Sequence, residues 1–356
     1  MTSVIATPRA TTRNAREGAP TCRVGCLFAA MGGFAKAFQK VGADVKWANE
    51  VDRFAVDTFK LNFPKVRCLH KPVEDLTVRG DKLEPVDILT AGFPCQPFSV
   101  AGEKLGFQDD RGLLFLDIIR ILREFGKNKP TILLLENVKN FRTHDAGRTF
   151  KRVQKEIQRA GYWFSEKDAQ ILNTATHTNI PQNRERVFMV AMSTAVFPCN
   201  SFKFPEPLPP GSTRPVRAFL DLKRKAPDEC YFDPSSQYHP LFVEAMESGD
   251  PWAVYQLRRN YVRENMSGEC FTLMANMGDG GHNDPVIKDR WGIRKLTRRE
   301  CARLQGYSDV KFPKGMSRSQ LGKQIGNSVT VPLVVRLAKN CLNELAKLGI
   351  AADPKK

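Results

Sequence analysis

Short apolar runs alternate with segments of helical periodicity, and this alternation restricts the fold more than any other feature of the chain. The apolar runs cover 22–28, 45–49, 86–89, 131–136 and 187–192, and the helical segments cover 34–41, 52–62, 113–124 and 147–160. Alternating strands and helices build an open α/β sheet with helices on both faces. Such sheets bind ligands beyond the carboxyl ends of their strands, so we expect the functional site at that edge.

A second, smaller domain follows the α/β part, which we place at 21–195. Residues 196–290 are rich in proline, glycine and aromatic residues, which predicts short strands and loops. A C-terminal segment, 291–349, contains a long apolar helix that we expect to return to the first domain. We interpret 1–20 as a disordered tail and 350–356 as a short tail, although the composition of the first also resembles an organelle transit peptide.

The composition favours an intracellular protein that binds a polyanion. The net charge is +17, with the basic excess at both ends of the chain and a nearly neutral middle. Such a charge favours nucleic acid over a membrane, although a merely soluble basic surface is the alternative. The nine cysteines form no CxxC pair, which argues against a disulfide scaffold or a zinc site and for a reducing compartment. The sequence has no apolar run of about 18 residues, so we expect no membrane insertion.

Cys95 follows the apolar run 86–89 and stands between Pro94 and Pro97. A buried structural thiol is the ordinary interpretation of a cysteine, but a turn between two prolines is poorly suited to core packing. Cys95 should therefore lie just past the carboxyl end of a strand, where a ligand binds. The polar, glycine-bearing loop 94–112 is a candidate lid over it.

Charged residues stand at the ends of two other strands. Glu136 closes the run 131–136, where a buried carboxyl could stay protonated and donate a hydrogen bond; the alternative is a helix-capping or loop acid. Arg184 and Arg186 flank Glu185, and strand geometry would put both guanidinium groups on one face. They could clamp a phosphate or a base oxygen, although a surface salt-bridge cluster is the alternative.

Two further groups of residues suggest ligands. The small-residue turn at Gly32 and Gly33, with Glu50 at the end of the next strand, is typical of a nucleoside-binding site, although a simple helix start is the alternative. In the second domain, the segments 258–265 and 272–278 concentrate side chains that can read base edges. After them, a basic amphipathic helix is expected to open at Arg294.

In combination, these motifs resemble the DNA (cytosine-5)-methyltransferases, of the small single-chain type found in bacterial restriction-modification systems. The motifs, in family order, are 28–34, 49–52, Gly92-Phe-Pro-Cys95-Gln-Pro-Phe-Ser99, Glu136-Asn-Val138, Gln182-Asn-Arg184-Glu-Arg186, 294–307 and 326–329. The resemblance covers about residues 22 to 345. It implies a Rossmann-like sheet that binds S-adenosyl-L-methionine, with 196–290 as a target-recognition domain.

The resemblance also implies roles for individual residues. Cys95 would attack C6 of a cytosine flipped out of duplex DNA, Glu136 would hold N3, and Arg186, supported by Arg184, would brace the base or its phosphate. The implied cofactor residues are Phe28, Gly32, Gly33, Glu50, Val51, Asp75, Leu76, Pro94, Leu114, Asn327, Ser328 and Val329. The implied DNA-binding residues are Gln96, Ser99, Arg111, Arg258, Arg259, Arg263, Asn276 and Gly280. S-adenosyl-L-homocysteine would be the product, and no metal is expected.

The chain departs from the family pattern at three positions. In this resemblance, Ala30 stands where a glycine is common, Val51 replaces an aromatic residue found in some members, and Ala101 stands at a serine position of the mobile loop. We expect these changes to alter cofactor affinity or loop kinetics. A transfer-RNA cytosine-5 methyltransferase and a catalytically silent DNA-binding relative are the alternatives. We further expect a monomer, with a restriction endonuclease encoded nearby, in bacterial cytoplasm on chromosomal DNA, or in a nucleus or organelle of a eukaryotic host.

Overall fold

The computed structural model describes residues 21–94, 114–277 and 282–351. Its main sheet has eight strands, β1 Arg23–Leu27, β2 Asp44–Glu50, β3 Arg67–His70, β4 Ile88–Gly92, β5 Ile132–Val138, β6 Tyr162–Trp163, β7 Ala169–Asn173 and β8 Glu185–Ser193. The helices within this part are α1 Gly33–Lys40, α2 Arg53–Asn62, α3 Leu114–Glu124, α4 Arg148–Arg159 and the short α5 Thr174–His177. The predicted α/β sheet is confirmed.

The strand order places several chain ends at one edge of the sheet. The order is β3-β2-β1-β4-β5-β8-β6, with β7 pairing to β8. The strands from β3 to β5 are parallel, whereas β8 runs antiparallel to β5. The carboxyl ends of β1, β2, β4 and β5 therefore lie beside the amino end of β8. This is the edge at which the sequence predicts the site.

Alternate residues of the central strands enter two apolar clusters, one on each face of the sheet. On one face, Ile88 and Ile132 pack with Phe38 of α1 and with the C-terminal helix. On the other face, Leu89 and Leu133 pack with α3 and α4. The helices therefore cover both faces, as predicted. Strand β4 extends three residues beyond its predicted end, through Gly92, because parallel neighbours on both sides supply hydrogen-bond partners.

The second domain contains a four-stranded antiparallel sheet. Its strands are β9 Tyr255–Arg258, β10 Tyr261–Glu264, β11 Pro285–Asp289 and β12 Gly292–Lys295, in the order β10-β9-β11-β12. Helix α6, His239–Ser248, covers one face of this sheet through Phe242 and Met246. Strand β12 completes this sheet although it lies beyond residue 290, where the sequence places the domain boundary.

The helix predicted to open at Arg294 begins four residues later, so this prediction was wrong in its start. Arg294 lies in β12 and is fully buried, and its guanidinium pairs with Asp289 at 2.7 Å and with Glu300 at 2.9 Å. Helix α7, Arg298–Arg303, starts at a capping box between Thr297 and Glu300. Arg294 adds to the basic charge counted in the sequence, but its two carboxylate partners neutralise it inside the fold.

Two more helices complete the chain, α8 Arg318–Asn327 and α9 Val331–Ala346. Val334, Leu337 and Cys341 of α9 belong to the same apolar cluster as α1, so the C-terminal helix lies on the main sheet. Across the part of the chain that the structure describes, no helix combines the length and apolar character needed to span a bilayer.

Candidate active site

Register brings a carboxylate and a guanidinium together at the edge of the main sheet. Gly92 of β4 pairs with Glu136 of β5, and Arg186 of β8 stands opposite Val138. Glu136 and Val138 are two residues apart, so Arg186 and Glu136 project from the same face as diagonal neighbours. The Arg186 Nε atom lies 3.1 Å from Glu136 Oε1. Two residues 50 positions apart therefore form an ion pair where four strands end.

Burial shifts the pKa of the Glu136 carboxyl in this pair. Glu136 is 8% exposed, and burial raises the pKa of its carboxyl, while the charges of Arg186 and then Arg184 oppose that rise. The net direction is upward, so the carboxyl keeps a proton to higher pH than a surface glutamate does. A Cβ atom added at Gly92 would lie 3.3 Å from Glu136 Oε2. The absence of a side chain at Gly92 therefore leaves space at the carboxyl.

The segment that leads to Cys95 is fixed at its start. Asn137 Nδ2 donates a 2.9 Å hydrogen bond to the carbonyl of Phe93, whose ring packs edge-on against Phe141. Pro94 follows and is exposed. Cys95 lies outside the described residues, as do Gln96, Ser99, Arg111 and the rest of 95–113. Pro94, the residue before Cys95, therefore lies just past β4, the strand that pairs with the Glu136 strand β5.

Arg184 has a different environment from Arg186. It is 2% exposed, and its guanidinium donates to the carbonyls of Leu273, Gly326 and Ser328 at 2.8, 2.9 and 2.8 Å. Glu185 pairs instead with Lys139 at 2.8 Å. Arg184 therefore connects the start of β8 to the second domain and to the C-terminal segment, through backbone atoms that lie far away in the sequence.

Glu50 organises the turn at the end of β2. Its Oε2 accepts a hydrogen bond from Ala30 N at 2.7 Å, and its Oε1 accepts from Val51 N at 2.8 Å and Asp52 N at 2.9 Å. A carboxylate offers about four acceptor positions. Among the contacts of the described residues, one position remains on Oε2, next to the turn that follows β1. This fits a ligand hydroxyl such as that of a ribose.

The turn after β1 has an unusual backbone. Phe28 and Ala30 adopt positive φ values of 52° and 47°, and Gly32 has φ 95°. Ala30 therefore has a conformational cost that a glycine at this position would avoid. A Cβ atom at Gly33 would lie 2.6 Å from Val329 Cγ2 and 2.9 Å from Ser328 Oγ. The turn is thus closely packed against the C-terminal segment.

The other predicted cofactor residues line the same edge with different exposure. Phe28, Leu76 and Leu114 belong to one apolar cluster. Val51 is 58% exposed, and Asp75 is exposed at the end of a short 3-10 turn, Val73–Asp75. The apolar cluster, the exposed carboxylate and the acceptor on Glu50 are together suited to a nucleoside-bearing ligand.

The C-terminal part of this edge contains one residue that the sequence did not single out. Tyr307 is 2% exposed, and its hydroxyl lies 2.5 Å from Ser328 Oγ. Asn327 is exposed beside it, and Val329 is buried. The resemblance identifies 294–307 as a motif, but no local pattern in this motif predicts that Tyr307 contacts Ser328.

The predicted DNA-binding residues of the second domain differ in their surroundings. Arg258 lies in β9, Arg259 in the following turn with φ 48°, and Arg263 in β10; Arg259, Arg263 and Asn276 are exposed. Gly280 lies outside the described residues.

A segment of the second domain runs directly along the active-site edge. Gln182 and Cys270 form a parallel bridge, and Gln182 Oε1 accepts a 3.1 Å hydrogen bond from Leu273 N. Sequence reasoning assigned no role to Gln182, although it belongs to the quoted motif. Farther along, Gly322 and Gly326 of α8 meet the backbone of 274–277 so closely that neither could carry a Cβ atom without displacement. We call residues 270–277 the edge segment.

Comparison with known proteins decides the family. The family model of the C-5 cytosine-specific DNA methylases matches residues 22–343. The chain belongs to this family. It is 41% identical to the Type II methyltransferase M.Bsp6I of Bacillus sp. (strain RFL6), over 89% of this chain and 98% of that protein. It is 33% identical to M.HhaI of Haemophilus parahaemolyticus, over 88% and 92%.

The solved structures agree on the fold of this C-5 cytosine-specific DNA methylase. The crystal structure of the S. pombe Dnmt2 methyltransferase superposes with a TM-score of 0.68 at 21% identity, over 91% of this chain and 99% of that one. The family membership establishes an enzyme that uses S-adenosyl-L-methionine to methylate C5 of cytosine in DNA. Within residues 21–94, 114–277 and 282–351, no group of three or more His, Cys, Asp or Glu side chains is placed to hold a metal.

Proposed function

We propose that the methylase acts through Cys95, Glu136 and Arg186 on a cytosine that is flipped out of a specific site in duplex DNA. The observation that supports this most directly is the buried Glu136–Arg186 pair at the strand edge from which the chain leads to Cys95. A stacked base is inaccessible on its faces, so it must leave the helix to reach this edge.

The Cys95 thiolate forms a bond from Sγ to C6 of the cytosine; the C5–C6 π electrons form a C4–C5 double bond, and the C4–N3 π electrons move onto N3. Glu136 delivers its proton to N3, which neutralises the charge that arrives there. The raised pKa of the buried carboxyl suits it to hold this proton to a higher pH than a surface glutamate does. Arg186 contacts Glu136 Oε1 and so orients the carboxyl while remaining close to the base. C5 is then rich in electrons.

S-adenosyl-L-methionine, when bound, supplies an electrophilic methyl group. After methylation the C5 proton passes to water, the C5–H electron pair re-forms the C5–C6 double bond, and the C6–Sγ bond breaks to regenerate the Cys95 thiolate. N3 returns its proton to Glu136. Glu50 would hold the ribose of the cofactor, with Phe28, Leu76 and Leu114 as apolar walls. The exposed Asp75 and Val51 would border the adenosine, with Gly32, Gly33, Pro94 and residues 327–329 completing the pocket.

We propose further properties from the family. The product is S-adenosyl-L-homocysteine and the reaction needs no metal. The enzyme acts as a monomer in the cytoplasm, on chromosomal DNA. The Type II names of the relatives support a restriction endonuclease encoded nearby. Gln96, Ser99 and Arg111 would contact DNA from the loop that follows Pro94, and Arg184 would support Arg186.

Bisulfite sequencing of mixed-sequence DNA tests the proposal. Wild-type protein with S-adenosyl-L-methionine should protect the cytosine of one sequence motif, and Cys95→Ala should protect none while retaining the wild-type circular dichroism spectrum. A parallel assay on transfer RNA should show no methylation. Wild-type activity in Cys95→Ala, or methylation of transfer RNA with none on duplex DNA, would contradict the proposal.

A further inference from the structure

Strands β9 and β10 form a hairpin with two distinct faces. Arg258 pairs with Tyr261, and Gln256 pairs with Arg263, across a two-residue turn. Residues directly opposite in an antiparallel pair share a face, as do residues two apart in one strand. Gln256, Arg258, Tyr261 and Arg263 therefore project from one side. The other side carries Tyr255, Leu257 and Val262, with Glu264 at its edge, and packs on α6 through the apolar residues.

On the polar side of the hairpin, the side chains of the edge strand β10 are exposed to solvent. Tyr261 is 57% exposed, and Arg263 is exposed beside it. Tyrosine and arginine are both enriched at the surfaces where proteins bind partners. The major groove of duplex DNA accepts a two-stranded β-ribbon, and arginine is the side chain that most often reads a base there. The shape and chemistry of this side suit that groove.

The arginines of the hairpin are not equivalent. Arg258 Nη1 lies 3.3 Å from Asn283 Oδ1 and 3.5 Å from Gln256 Oε1, so its guanidinium is partly engaged within the domain. Arg259 stands on the turn. Arg263 instead lies over the ring of Phe271, with its guanidinium carbon 5.1 Å from the ring centroid. Stacking holds the planar guanidinium while leaving its N–H groups at the edge.

The ring under Arg263 is fixed to the catalytic domain. Phe271 is 8% exposed and follows Cys270. Cys270 N donates to the carbonyl of Pro181 at 2.7 Å, and Asn183 N donates to the carbonyl of Cys270 at 2.9 Å. Three residues after Asn183 stands Arg186, the partner of Glu136. The position of the Arg263 guanidinium is therefore determined relative to the active-site edge.

We propose that the polar side of the β9–β10 hairpin enters the major groove and that Arg263 reads a guanine of the target site through O6 and N7, with Tyr261 packed against the neighbouring base pair. This inference rests on the proposed function. Phe271 holds Arg263, and the adjoining Cys270 bonds to the backbone of Pro181 and Asn183, so the guanine lies at a set distance from the flipped cytosine. Arg263 is thus a specificity-determining residue, and Phe271 positions it.

The experiment measures methylation of a duplex library in which the positions around the target cytosine are randomised. Arg263→Ala should lower the discrimination for guanine at one position by about 5- to 150-fold and leave the preferences at other positions unchanged. Phe271→Leu keeps Arg263 but removes the ring, so it should weaken the same preference by a smaller factor. Thermal unfolding and circular dichroism of each variant confirm that it is folded.

Arg290→Ala is the matched control. Arg290 is also exposed and stacked, with its guanidinium carbon 4.0 Å from the centroid of Trp291, but it lies at the opposite end of the sheet. This variant should retain every base preference. An equal loss on all sequences in Arg263→Ala, or loss of the guanine preference in Arg258→Ala with Arg263→Ala unaffected, would overturn the inference. Absence of methylation by wild-type protein would instead contradict the proposed function.

Discussion

Replacing Arg184 by methionine distinguishes a structural connection from direct action on the substrate. The sequence suggests that Arg184 braces the base together with Arg186, whereas its guanidinium donates to three backbone carbonyls, those of Leu273, Gly326 and Ser328. Methionine fills most of the buried volume but donates no hydrogen bond. The variant therefore leaves three carbonyls without this donor, in two separate segments of the chain.

The expected cost follows from these contacts. The Ser328 carbonyl keeps a second donor, Gln305 Nε2 at 3.3 Å, so two carbonyls lose their donor. A buried acceptor without its donor costs about 1–3 kcal/mol, so these two would cost about 2–6 kcal/mol. Removing a buried cation relieves several kcal/mol of desolvation, and we expect a net loss of about 2 kcal/mol in the free energy of unfolding. The carbonyls of Gly326 and Ser328 flank Asn327, so KM for S-adenosyl-L-methionine should also rise, by about 10-fold.

Urea denaturation and steady-state kinetics check this result together. Arg336→Met is the matched control because Arg336 donates to a single carbonyl, that of His177, at 2.8 Å. It should cost about 1 kcal/mol and leave KM unchanged. If Arg184→Met lost kcat while its stability and KM stayed at wild-type values, Arg184 would act on the base itself and the structural reasoning would be refuted.

Three further changes test the Glu136 carboxyl, the space beside it and the packing of the turn after β1. The stability of wild-type protein relative to Glu136→Gln should fall as pH rises through the raised pKa of Glu136, because the folded chain holds that proton more tightly than the unfolded chain; denaturation at several pH values measures this, and a constant difference would contradict it. Gly92→Ala brings a methyl group to 3.3 Å from the carboxyl, so kcat should fall about 10-fold with little change in the melting temperature; an unchanged kcat would argue against this crowding. Gly33→Ala would place a methyl group 2.6 Å from Val329 and 2.8 Å from Tyr307, costing about 1–3 kcal/mol and raising KM for the cofactor, as unfolding and kinetics would show; wild-type values for both would exclude the clash.

Much of the main domain could be predicted because local sequence patterns determine where its strands and helices begin and end. The alternation of apolar runs and helical segments locates the strands and helices of the α/β part closely, and the breaks after the strands locate Glu50 and Glu136 at one edge. The end of β4 was misjudged because Ala91 and Gly92 are weak strand formers. Pairing on both sides overrides that local preference, as it commonly does in a central strand.

The remaining features depend on partners that are distant in the sequence. The sequence pattern predicts that Arg294 opens a basic helix, yet Asp289 and Glu300 neutralise it in the interior. Arg184 and Arg186 appear equivalent, yet one bonds to backbone carbonyls and the other to a carboxylate. Periodicity assigns a residue to a face, but it does not identify what lies opposite that face. The distinction between similar charged residues therefore had to come from the fold.

The close approach of α8 to the edge segment limits how the proposed target-recognition domain can change during evolution. Gly322 and Gly326 leave no gap against 274–277, so an inserted residue or a bulkier helix surface would separate the two backbones. A recognition domain borrowed from a relative would therefore need a matching helix near the C-terminus, and the two should be inherited together. New target sequences are more accessible through side-chain changes on an intact backbone than through exchange of the domain as a cassette.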